Sequence, residues 1–248
     1  MIMSKKDLII ATLAVSILGG LFYLSAERGG EDSLKKEVDA TGQPIVSWQK
    51  ITITEERENI LINITMPRVI LYDNYNLGSE ISQKIADYLE SLKSEFILSV
   101  STAAEDNGET SALTIDTEAL LVTPRLISLA FTMTERLAGI KDKDNDPEQT
   151  FLVFDLRDGK VVIETHTLFR GDLAWSTAVK AIKRSLLSDY QGDPNCDLLF
   201  APKSQGFAAS CIGVDWSRGG EHFSVRGDIP VSMIQELLAP SVLSDVIQ

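Results

Sequence analysis

ALTIDTEALLVTPRLISLAFTMTERL, residues 112–137, is the stretch that decides the fold class. In its first half Leu113, Ile115, Ala119 and Leu121 alternate with mostly polar residues. In its second half Ile127, Leu129, Phe131 and Met133 alternate with small or polar ones. A period of two is the mark of a half-buried strand. The segments run from about Ala112 to Thr123 and from about Leu126 to Leu137, and Pro124-Arg125 joins them. So short a link forces antiparallel pairing, because parallel neighbours need a long crossover.

The same logic extends in both directions. Val46 to Thr54 and Ile60 to Ile64 alternate around a polar turn, Glu55 to Asn59, and predict a hairpin that Met66-Pro67 ends, with Val69-Ile70-Leu71 as an edge segment. From Leu77 to Val100 the period changes. Ile81, Ile85, Tyr88, Leu89, Leu92 and Phe96 form one helical stripe, and Asn74 or Asn76 can cap its start. Downstream, Phe151 to Leu156 and Val161 to Ile163 flank Asp158-Gly159, a pair suited to a two-residue hairpin. Asp172 is an N-cap candidate for a second helix with Trp175, Ala178, Val179, Ile182 and Leu186 on its apolar stripe. Leu198 to Ala201, Phe207 to Val214 and Phe223 to Ile229 read as three more strands. Ser232 and Gln235 have capping-box spacing for a short helix ending at Leu238. These elements predict an α+β architecture: an antiparallel sheet with two amphipathic helices packed on it.

The chain opens with Lys5-Lys6, then an uncharged apolar run from Leu8 to Leu24. That run is about 17 residues, just long enough to cross a bilayer core as a helix. The lysines place the N-terminus in the cytoplasm and everything after Arg28 outside it. Two readings compete: an uncleaved single-pass anchor, or a signal peptide cleaved after Leu24-Ser25-Ala26. Either predicts residues 1–26 as a membrane anchor or signal segment and 27–45 as a linker, with Gly29-Gly30 and mixed charges. Residues 46–248 are then an exported α+β domain, in the periplasm or outside the cell. About 200 residues suffice for one good-sized core or two small ones.

The formal net charge is −13. Such a surface repels nucleic acid and anionic headgroups and favours cationic partners at long range. The chain has two cysteines, Cys196 and Cys211. In an oxidising compartment such a pair predicts a structural disulfide, its segments meeting in a hairpin whose loop contains Pro202 and Gly206. A zinc site needs further ligands, and the two histidines, His166 and His222, are far apart. Serine-hydrolase, phosphate-loop and dinucleotide-binding motifs are absent from the sequence. Asp142-Lys143-Asp144-Asn145-Asp146 has alternating acids, yet Pro147 and Val153 stand where a calcium loop needs Gly and Glu. Hence no cofactor, metal or catalytic set is expected. The loop Val214 to Phe223 holds Trp216, Arg218 and His222. It is either a binding element that stacks on a sugar or anchors a protein, or a turn whose indole folds into the core.

The order of signals resembles a known family. Met66-Pro67 precedes an amphipathic helix, followed by Arg125-Leu126-Ile127-Ser128-Leu129. Next come Phe154-Asp155-Leu156-Arg157-Asp158-Gly159-Lys160 and Thr167-Leu168-Phe169, and last Ile229-Pro230-Val231 with Leu237-Leu238. This arrangement is similar to the exported domain of RsiV-type lysozyme-sensing anti-sigma factors, a DUF3298-type domain also found ahead of some peptidoglycan deacetylases. Members often carry a Gly-Gly-Ala-His element where this chain has Ala138-Gly139-Ile140-Lys141. The tail Met1 to Lys6 is too short to hold a sigma factor, so the signalling role does not carry over. The resemblance implies an envelope domain that binds a protein, lysozyme or peptidoglycan. The expectation is a non-catalytic domain tethered to the inner membrane through residues 8–24, with a cell-wall-active enzyme or its accessory domain as the alternative.

Overall fold

The computed structural model describes residues 36–38, 44–57, 59–71, 74–103, 109–138, 147–156, 165–188, 190, 194–215 and 221–246. The apolar run 8–24 lies outside them. Among the described residues no helix is long and apolar enough to cross a membrane.

The architecture is α+β, but among the described residues with two sheets rather than the single one expected. Sheet one has six strands in chain order: β1 (Lys36–Val38), β2 (Pro44–Arg57), β3 (Ile60–Leu71), β4 (Ser111–Val122), β5 (Leu126–Arg136) and β6 (Glu148–Asp155). Sheet two is β7 (Pro194–Lys203), β8 (Gly206–Asp215) and β9 (Glu221–Pro230). β1 falls within the stretch expected to be a linker and pairs antiparallel with β2. Among the described residues pairing is antiparallel except for β3 with β4, which is parallel from Ile60 to Ile64. The helix α1 (Tyr75–Ala103) makes that crossover, as a parallel neighbour requires.

Pro67 does not end its strand. β3 continues to Leu71, with Pro67 opposite Lys50 of β2. β4 pairs with β3 only as far as Ile64, so the missing N–H lies where the strand has become an edge. Side chains take over there. The Thr117 hydroxyl donates to the Thr65 carbonyl at 2.6 Å. The Ser82 hydroxyl of α1 accepts from the Val69 N–H at 3.1 Å. Gly78 lets the helix come this close, since a Cβ there would sit 2.9 Å from the Leu71 nitrogen.

The helix stripe is the expected one. Ile81, Ile85, Leu89 and Phe96 are buried against Ile62, Ile64, Leu113, Ile115, Ile127, Leu129 and Phe131. Asn74 is the cap, its side-chain oxygen accepting from the Leu77 N–H at 3.1 Å. The second helix, α2 (Asp172–Leu186), covers sheet two instead. Ala178 and Ile182 join Phe200, Phe207, Ala209 and Ile229 in a separate core. Its N-cap is Gly171 at φ 139°, not Asp172, which is the first helical residue and makes no capping bond. The segment Ser232 to Leu238 is not an α-helix either. It holds a 3-10 turn, Val231–Met233, and the final helix α3 (Pro240–Val246) begins later, with proline at the position where its missing N–H costs nothing.

The faces of the sheets away from the helices meet. β7 approaches β4, β5 and β6. Leu126, Ser128 and Ala130, on the β5 face opposite α1, are therefore as buried as their apolar neighbours. Serine and alanine allow close approach at the seam: Ser128, Ala130, Ala201 and Ser210 are all buried. An irregularity in β4 between Ala119 and Leu121 adds one residue and reverses the alternation. Val122 thus packs with the first core and Leu121 with the second.

Candidate functional site

Sheet two is built around the β7–β8 hairpin. Its turn is Ser204-Gln205, with Gln205 at φ 64°. Pro202 and Gly206, expected in the loop, are instead the paired ends of the strands, opposite Phe207 and Lys203. Cys196 and Cys211 form the expected disulfide, with Cα atoms 5.5 Å apart. The two are diagonal neighbours, since Cys196 pairs with Gly213 and Leu198 with Cys211. Both are buried. The ammonium of Lys183 on α2 donates to the Cys196 carbonyl, which ties the bridged end of the hairpin to the helix.

β9 alternates with a clear division of labour. Ile229 lies in the second core. A Cβ on Gly227 would meet the Leu186 side chain of α2 at 2.9 Å. Ser224, Arg226 and Asp228 fall on the opposite face by the two-residue period. There they line a solvent-open groove of about 600 Å³ whose other wall is Pro147 and Gln149 at the start of β6. The groove therefore spans both sheets.

The polar groups of the groove differ in how they are engaged. Asp228 is held by the Lys203 ammonium at 2.6 Å. The Gln149 amide nitrogen donates to the Thr132 hydroxyl at 3.4 Å, leaving its carbonyl oxygen uncommitted by that bond. The Ser224 hydroxyl is shielded from solvent and has no hydrogen-bond partner among the described residues. Arg226 is exposed, and no described carboxylate is in ion-pair contact with it.

Of the binding residues expected from sequence, Trp216 and Arg218 lie outside the described residues. His222 has a described backbone position on β9, opposite Val214 and two residues before Ser224. The strand that carries it is thus a wall of the groove. Gln149, Ser224 and Arg226 have no signature in the sequence. A lone Gln, Ser and Arg in two strands carry no motif, and only sheet packing brings them together.

A second polar cluster lies on the α1 side of sheet one. Burial pushes the Glu135 carboxyl above its ordinary range, and the charges of Glu148 and Glu95 push it further. Nearby, burial raises the Tyr88 hydroxyl, opposed by its hydrogen bond with Thr150; the two oxygens are 2.6 Å apart. Among the described residues no group of three or more His, Cys, Asp or Glu is placed to hold a metal ion.

No family model matches the chain, and no curated protein does. Among solved structures, the chain is similar to a crystal structure of a DUF3298 family member from Bacteroides fragilis. The identity is 15%, with a TM-score of 0.48, over 81% of this chain and 97% of that one. It is also similar to the crystal structure of a DUF3298 family protein from Pseudomonas aeruginosa, at 15% identity and a TM-score of 0.47, over 86% of this chain and 98% of that one. Both similar structures are DUF3298-family proteins, the domain type that the sequence motifs resemble.

Proposed function

We propose that this protein is a non-catalytic envelope domain that binds another envelope component, a protein or a cell-wall glycan, while tethered to the inner membrane through residues 8–24. The observation that carries the reading is the groove between β6 and β9. Its walls supply an amide, a hydroxyl, a guanidinium and a carboxylate that is paired with Lys203, groups suited to recognition. The apolar run and Lys5-Lys6 support the tether and the outward orientation of the domain. The test is site-specific photo-crosslinking from positions 149 and 226 in cells, with fractionation of the same cultures. The expected result is a defined envelope adduct from both positions, on protein that stays with carbonate-washed membranes and retains its N-terminus. A mature N-terminus at Glu27 would remove the tether. Turnover of peptidoglycan fragments, abolished by a point substitution, would make the protein an enzyme. The net charge of −13 also favours a basic partner such as lysozyme at long range; absence of binding at low salt would end that version.

A further inference from the structure

One wall of the groove is a strand edge. β9 ends sheet two, and β8 is its only strand neighbour among the described residues. The outer edge of β9 therefore presents backbone N–H and C=O groups along a ten-residue strand. Residues Ser224 to Asp228 of that strand line the groove. A chain laid there in extended form can continue the sheet, the recognition mode in which main-chain bonds give affinity and alternate side chains give selectivity.

The side chains indicate what such a chain carries. Lys203 pairs with Asp228 at 2.6 Å, so among the described residues lining the groove the charge without an ion pair is the Arg226 guanidinium. Its planar fork matches a carboxylate. The Ser224 hydroxyl, without a hydrogen-bond partner among the described residues, is two residues away on the same face. Gln149 faces them from β6. The net charge of −13 opposes polyanions and so favours a single carboxylate over an acidic run.

We propose that the groove binds an extended peptide segment bearing one acidic side chain, its backbone paired with the outer edge of β9 and its carboxylate on Arg226. This rests on the groove being the binding site and adds the chemistry of what it takes.

The test uses the full-length chain in detergent and short extended peptides that differ only at the central residue: Glu, Asp, Gln or Lys. The Glu and Asp peptides should bind at least about tenfold more tightly than the Gln peptide, the size of effect a charge-assisted bond gives. R226Q should erase that preference and R226K restore part of it. Amide resonances of Ser224 to Asp228 should shift on binding, and N-methylation along one edge of the peptide should abolish it. Equal binding of the Glu and Gln peptides, a preference that survives R226Q, or no peptide binding at all would overturn the proposal. If that happens while envelope adducts still form from positions 149 and 226, the peptide chemistry fails and the groove stands. If those adducts are absent too, the binding reading fails with it.

Discussion

Arg125, in the link between β4 and β5, reaches Ser241 in α3, donating from Nη2 to its hydroxyl at 2.9 Å and from Nη1 to its carbonyl oxygen. The same guanidinium lies 4.0 Å from the Asp155 carboxylate at the end of β6, and the Arg125 carbonyl accepts from the Leu156 N–H at 2.7 Å. One side chain therefore joins sheet one to the C-terminal helix, whose Val242 and Val246 belong to the core of sheet two. Arg125→Met should destabilise the protein by about 2–4 kcal/mol, because the nearly buried Asp155 loses the Arg125 charge beside it and α3 loses its bonds. Ser241→Ala should cost less. Urea denaturation of the two variants checks the order.

The disulfide is expected to stabilise through the unfolded chain. Its sequence separation is 15, for which loop closure predicts about 3 kcal/mol. Replacing Cys196 and Cys211 with serine should lower Tm while the far-UV spectrum stays native. Gly213→Ala should also destabilise, since a Cβ there runs into the Asn195 carbonyl and the Cys196 Cα. If non-reducing peptide mapping finds both thiols free in exported protein, the stabilising role disappears.

At the other sheet, Ser82→Ala should cost about 1–3 kcal/mol, the penalty of leaving the Val69 N–H without its acceptor. Gly78→Ala should be of similar size because the clash is with backbone, not with a side chain that can turn away. Hydrogen exchange at Val69 distinguishes the two, with protection lost selectively in the serine variant.

Glu135 predicts a pH dependence. Its folded pKa is raised, first by burial and then by Glu148 and Glu95. The folded state therefore holds the proton more tightly than the unfolded chain. Stability from this group is complete below the ordinary carboxyl value of about 4.5 and is lost as pH rises through the folded pKa. Glu135→Gln should be more stable than the parent at pH 7 and lose that advantage near pH 4. Paired urea titrations at the two pH values measure it; an advantage that does not change with pH contradicts the assignment.

Periodicity in the sequence determined the kind of element and the face it buries. The stripe Ile81-Ile85-Leu89-Phe96 and the alternation Ile127-Leu129-Phe131 are local signals, and both are buried as expected. So is the hairpin around Ser204-Gln205, because a short link allows one pairing. Partner choice and layer count were decided only in three dimensions. Nothing local tells Ile60 to Ile64 to run parallel to β4, or Pro67 that its strand has become an edge. Leu126, Ser128 and Ala130 have the pattern of a strand's lesser face, yet they are buried because sheet two covers them. The groove is legible only there as well. Gln149 and Arg226 lie far apart in the chain and become neighbours when two separately cored sheets close against one another. Side-chain period is a property of one strand, whereas register between distant strands is set by the burial that all of them achieve together.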